Sequence, residues 1–113
     1  FGNHLLRIKH TDELLVVKND PLFASIDEDL LVYPLTVRTW QQGDHFYPLG
    51  MKTRKKLSDF FVGQKIPLVA KSKIPIILNG NGDIIWVAGY RPDNRYKISA
   101  KTKKVTIFEL VSI

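Results

Sequence analysis

The chain has no cysteine, which removes disulfides and thiolate metal sites together and gives no reason to invoke an oxidising compartment. No apolar run approaches the roughly 18 residues that span a bilayer, so no membrane partner is implied. The opening "FGNHLLRIKH" carries neither a signal-peptide pattern nor an initiator methionine, so it reads as a segment of a longer, cytoplasmic protein. The P-loop pattern G-x-x-x-x-G-K-[ST] is missing. "GNGD" at 80–83 contains a G-x-G but joins two apolar runs and opens no helix, so it fails as a dinucleotide fingerprint. His4, His10 and His45 have no metal-ligand spacing. His45 adjoins Asp44, but neighbours on an extended chain point apart and no nucleophile motif accompanies them. These gaps leave the sequence with no catalytic residues and no cofactor site of its own.

What is present suits a folded protein. The 113 residues are 44% hydrophobic and 25% charged, enough apolar content for a single core. The formal net charge of +6 is unevenly spread. Residues 1–40 hold 4 Lys+Arg against 6 Asp+Glu, a balance of −2, and residues 41–113 hold 13 against 5, a balance of +8. A basic half of that kind looks for an anionic partner; nucleic acid, an acidic membrane surface and an acidic protein all satisfy the requirement, and a solvated surface with no partner is the plain alternative.

The order of apolar and polar residues predicts an α+β fold, mostly antiparallel β-sheet with one or two short helices packed on one face. "LLRIK" (5–9) and "ELLVVK" (13–18) read as a hairpin around "HTD". "NDPLFASIDEDL" reads as a connection with at most one helical turn, which divides the chain into an N-terminal hairpin and acidic connector, 1–33, and a main domain, 34–113. "LTVRTW" (35–40), "IPIIL" (74–78), "DIIWVAGY" (83–90) and "KVTIFELV" (104–111) read as strands. "NGNG" turns the second of these into the third, and the third is apolar on both faces, with Ile84, Trp86 and Ala88 opposite Ile85, Val87 and Gly89.

The densest feature is "MKTRKKLSDFFVGQKIP" (51–67). Leu57, Phe60 and Phe61 fall at i, i+3, i+4, so a short helix is expected, capped by Thr53 and ended by Gly63. Four cations, Lys52, Arg54, Lys55 and Lys56, crowd its start, where the helix dipole disfavours them. A bound phosphate reverses that sign, and Arg38, Lys65, Arg91, Arg95 and the "KTKK" turn at 101–104 offer further cations. The plain alternative is a solvated face whose stems shield Phe60 and Phe61. Among the interleaved aromatics, Trp40 and Phe46 read as core, whereas Tyr90 and Tyr96 are candidates for stacking on unpaired bases. Asp44 reads as a turn former and Asp59 as a helix-surface residue.

Read with its flanks, "GDHFYPLGMKTRKKLSDFFVGQKIP", followed by "KIPIIL" and "IIWVAGYR", resembles the C-terminal domain of the tRNA(Ile)-lysidine synthetases over residues 38–91. The family pattern runs Arg, Gly-Asp-Arg-Phe, Pro-x-Gly, Lys-Lys-Leu-x-Asp-Phe-Phe, Ile-Pro and a Trp-Val-x-Gly strand. His45 stands here for the usual Arg after Gly-Asp, and Leu68 follows Ile-Pro where a basic residue is common. The resemblance implies a domain of an ATP-dependent ligase that joins lysine to an anticodon cytidine of tRNA(Ile). ATP and lysine would be substrates of the N-terminal catalytic domain, whose Ser-Gly-Gly-x-Asp-Ser loop does not occur here. For this domain it implies tRNA recognition, chiefly at the acceptor stem, through Lys52, Arg54, Lys55 and Lys56 with Arg38, Lys65 and Arg91 in support. The alternative is a structural module that contacts its own catalytic domain or a second copy of the chain as a homodimer.

Overall fold

A computed structural model describes residues 4–12 and 20–112. The strands in chain order are β1 (His4–Thr11), β2 (Phe23–Asp27), β3 (Thr36–Arg38), β4 (His45–Phe46) and β5 (Lys55–Lys56), then β6 (Ile76–Leu78), β7 (Ile84–Val87), β8 (Arg91–Pro92) and β9 (Val105–Ser112). Two short helices, α1 (Leu57–Gly63) and α2 (Leu68–Lys71), separate β5 from β6. The strands form a three-stranded sheet β1-β9-β2, a four-stranded sheet β3-β6-β7-β8 and the ribbon β4-β5, all antiparallel.

The four-stranded sheet is the middle layer, because β7 is buried throughout. On one side, Ile77, Ile85 and Trp86 meet Ala24 and Ile26 of β2 and Phe108 and Leu110 of β9. The Trp86 and Phe108 rings stack there at 6.2 Å. On the other side, Ile76, Leu78, Ile84 and Val87 meet Phe46 and the buried face of α1, Leu57, Phe60 and Phe61. Each of those three α1 side chains contributes roughly 1.5–3 kcal/mol of transfer free energy. Phe46 and Phe60 meet edge to face at 5.1 Å, which fixes α1 against the ribbon.

Two details differ from the pattern reading, and one expectation lies outside the described residues. The stretch taken as a connection contains β2, whose Ala24 and Ile26 alternate into the core beneath the turn and acid signals on either side; only Glu28–Leu30 forms a 3₁₀ turn. The expected partner strand at 13–18 lies outside the described residues, and β1 pairs with β9 from His4↔Ser112 to Thr11↔Val105. The strict alternation along β7 fails because the register with β6 slips between Ile77 and Leu78, so that Ile77 faces Trp86 while Leu78 faces Ile84. The slip puts Trp86 in the same cluster as its neighbour Ile85.

The "NGNG" turn behaves as read: Asn79 N–H donates to the Asp83 carbonyl at 2.8 Å, and Gly82 takes φ 93°. Asn79 does more than turn. Buried, it accepts from Val32 N–H at 2.6 Å and donates to the Leu30 carbonyl and the Tyr96 hydroxyl, clipping the 30–32 segment to the middle sheet.

Candidate nucleic-acid interface

The basic segment is organised by Arg38 and Asp44, six residues apart across the turn from β3 to β4. Arg38 forks onto Asp44, Nη1 to Oδ2 at 2.9 Å and Nη2 to Oδ1 at 3.0 Å. Asp44 closes its own turn by accepting from Gln41 N–H at 2.7 Å. Its carbonyl accepts Leu57 N–H at 2.8 Å, so the first residue of α1 hangs from this corner. The charges respond to each other. Hydrogen bonding to Asp44 raises the Arg38 pKa against the effect of its burial. Burial pushes the Asp44 carboxyl up, but the hydrogen bonds from Arg38 and Gln41 and the nearby positive charge outweigh it and hold the group below the usual carboxylate range. Asp44 is therefore a turn former, as read, and also the ion-pair partner that the sequence did not disclose.

The cations sit differently from a helical first turn. Thr53 does not cap α1; Lys56 occupies the cap position and makes no side-chain cap bond. Lys55 and Lys56 are in β5, opposite Phe46 and His45, because pairing with β4 satisfies backbone that a longer helix would otherwise have used. Helix formation begins only where Leu57 can bury. Opposed residues share a face, so Lys56 and His45 project together into solvent, while half-buried Lys55 lies on the side of Phe46. The Lys55 ammonium lies 3.9 Å from the point a Cβ on Gly63 would occupy. It thus approaches the last residue of α1, the end of the helix where positive charge is favoured.

Lys52, Arg54 and Lys65 are exposed, and Lys65, with φ 57°, comes just after the cap residue Gln64 that ends α1. Among the described residues, none of Lys52, Arg54, Lys55, Lys56 and Lys65 has a carboxylate within ion-pair distance. Arg91, half-buried on β8, places its guanidinium 5.7 Å from the Phe60 ring of α1. Helix α1 is accordingly the common neighbour of Lys55, Lys56, Lys65 and Arg91. Arg38 reaches the same corner with its charge already paired. Lys71, not among the expected site residues, lies over the Trp40 ring at 4.6 Å.

Other expected extensions are committed elsewhere. Arg95 pairs with fully buried Asp93 at 3.0 Å and with Asp83 at 3.3 Å, and stacks 4.5 Å from the Tyr47 ring. Hydrogen bonding to Asp93 raises its pKa. Asp93 also accepts from Tyr47 N–H, so this pair fastens the ribbon's exit to the end of β8. Tyr96 is no stacking platform. It is 4% exposed, and its hydroxyl donates to Asp83 at 2.7 Å. Burial first, and that hydrogen bond second, raise the phenol pKa. Phe46 is core and Trp40 packs edge-on against Phe61 at 5.7 Å, whereas Tyr90 remains exposed. Lys101, Lys103 and Lys104 are exposed in the turn before β9, which is tied to Asp27 and Glu28.

The family described as the TilS substrate C-terminal domain matches residues 35–108. A tRNA(Ile)-lysidine synthase of Parabacteroides distasonis is 44% identical over 91 residues, which are 80% of this chain and 20% of that protein. The tRNA(Ile)-lysidine synthase of Clostridium acetobutylicum is 35% identical over 100 residues, 88% of this chain and 22% of that protein. The chain thus spans about a fifth of the length of these curated relatives. A crystal structure of a TilS C-terminal domain superposes with TM-score 0.87 at 20% identity, covering 99% of this chain and 86% of that one. An N-terminal fragment of the phenylalanyl-tRNA synthetase β-subunit of Pyrococcus horikoshii gives TM-score 0.65 at 17% identity, covering 79% of this chain and 28% of that one; at such identity these two matches speak for the fold.

Proposed function

Since the chain belongs to the TilS substrate C-terminal domain family, we propose that it serves a cytoplasmic tRNA(Ile)-lysidine ligase as a tRNA-gripping domain without chemistry of its own. ATP and lysine are then handled by the N-terminal catalytic domain, and this domain holds tRNA(Ile), chiefly by the acceptor stem. The observation that carries the reading is a set of cations around one short helix, Lys52, Arg54, Lys55, Lys56 and Lys65, with no protein carboxylate at ion-pair distance among the described residues. Cations left unneutralised along one segment raise the local positive potential, which a polyanion lowers. The attraction resides in the side chains, because the leading amide of α1 is already bonded to Asp44. Arg91 lies within the same neighbourhood, and Arg38 serves it through Asp44 as a positioning residue.

If about five phosphates are neutralised on a duplex stem, log K falls with log salt at a slope of roughly −4 to −5. Filter binding of tRNA(Ile) at several salt concentrations measures it. Lys55→Glu/Lys56→Glu should weaken binding steeply and flatten the slope; unchanged affinity in that variant, or a slope near zero for the unaltered protein, rejects the reading.

A second reading has its own observation. Val62, Leu68 and Val69, around the join of α1 and α2, are 77%, 76% and 72% exposed. Such an apolar tip suits contact with the catalytic domain or a second copy of the chain. Light scattering, and mixing with the separate catalytic domain, test it: tight protein association without tRNA affinity would favour this role over the first.

A further inference from the structure

A cleft of about 590 Å³ opens beside β2 and the segment from β8 to residue 98, lined by Phe23, Leu49, Tyr90, Arg91, Pro92 and Lys97 among others. Its volume is in the ordinary range for small-ligand sites. We propose that it holds one unpaired nucleotide at the end of a bound RNA stem, the base against the aromatic and proline surfaces and the phosphate at Lys97. The proposal rests on the RNA-binding reading and extends it from the stem to a single-stranded end.

The lining has the chemistry of such a ligand. Tyr90 is exposed, while Tyr96 is buried in the core and Tyr47 lies beneath Arg95. Lys97, exposed at the cleft, has no ion-pair partner among the described residues. Asp20, also in the lining, is engaged in its own turn, accepting Leu22 N–H at 2.9 Å. A π-face with cations alongside is how proteins hold unpaired bases with little regard to sequence. One cation in the cleft suits a single phosphate and falls short of what a free triphosphate requires. The cleft also adjoins the basic segment. Leu49 precedes Lys52 by three residues, at most about 11 Å of chain. Arg91 touches both places, lining the cleft while its guanidinium lies over Phe60 of α1. RNA whose stem lies along Lys52–Lys56 therefore has its next nucleotide at the cleft mouth.

The test uses two versions of one RNA hairpin, blunt or with a single-stranded tail carrying 2-aminopurine, and reads binding by anisotropy and stacking by quenching. The tail should add about tenfold in affinity and quench the probe. Tyr90→Ala and Lys97→Glu, both at exposed positions, should each remove most of that gain and leave blunt-hairpin affinity unchanged. Lys55→Glu/Lys56→Glu should weaken both hairpins by the same factor. The inference is overturned if the tail adds less than about twofold, if the gain survives both cleft substitutions, or if free AMP displaces the tail as effectively as tailed RNA does, which would mark a site for free nucleotides. Blunt binding without a tail effect sinks the cleft alone; no binding of either hairpin sinks the RNA-gripping role along with it.

Discussion

Arg38→Met tests whether the Arg38–Asp44 pair holds the basic segment in place. The substitution keeps much of the side-chain volume and removes two charge-assisted hydrogen bonds to Asp44 and a third, to the Thr39 carbonyl, at 2.9 Å. Breaking a fully buried pair costs about 3–5 kcal/mol, whereas an exposed pair is worth about 0–1 kcal/mol. Here the side chains are 26% and 11% exposed, and Asp44 would keep its bond from Gln41 N–H. A loss of about 2 kcal/mol follows, or roughly 8 °C in Tm for a domain of this size. The pH dependence has a defined sign. The folded-state pKa of Asp44 is depressed, so its contribution is complete above the unfolded carboxylate value near 4 and is lost as pH falls through the lower folded value. The gap in stability between wild type and Arg38→Met should therefore be widest near neutral pH and shrink in acid. Thermal melts at about pH 7 and about pH 3 measure it. A Tm change under about 2 °C at neutral pH, or a gap that does not narrow in acid, refutes the clamp. The same variant separates positioning from contact: with Arg38 acting through Asp44, tRNA affinity drops while the salt slope holds, whereas loss of a direct phosphate contact lowers the slope by about one.

Tyr96→Phe removes the hydroxyl that joins Asp83, Asn79 and Asn81, and urea unfolding should show a loss of about 1–2 kcal/mol. Because the folded phenol pKa is raised, its contribution is present below the unfolded value near 10 and is lost as pH rises through the folded value. The wild type should hence lose its margin over Tyr96→Phe only in strong alkali. Gly80→Ala would drive a Cβ into the Val32 carbonyl, whose oxygen already accepts Gly80 N–H at 2.6 Å, and should cost about 2–3 kcal/mol in the same assay. Gly50→Ala, with open space around the new methyl, is the comparison for a φ near 90° without such a clash.

The sequence determined those features set by neighbours along the chain. Alternation and apolar runs located β3, β6, β7 and β9, the Asn-Gly turn joined β6 to β7, and the spacing of Leu57, Phe60 and Phe61 gave α1 its buried face. The excess of cations around residue 54, with the motif pieces on either side, also pointed to the family. Tertiary structure decided what depends on partners distant in the chain. Lys55 and Lys56 entered a strand because β4 supplied hydrogen bonds across an eight-residue loop, and the helix waited for the first side chain that could be buried. The local acid and proline signals hid β2, whose reason to be extended is β9, some eighty residues away. Which cations were left unpaired was likewise settled in space, since Arg38 met half-buried Asp44 and Arg95 met fully buried Asp93, while Lys52, Arg54 and Lys56 met no carboxylate among the described residues. Charge counted along a chain is indifferent to pairing, whereas a fold fixes each side chain's surroundings within a few ångströms, where Coulomb energy and desolvation are decided.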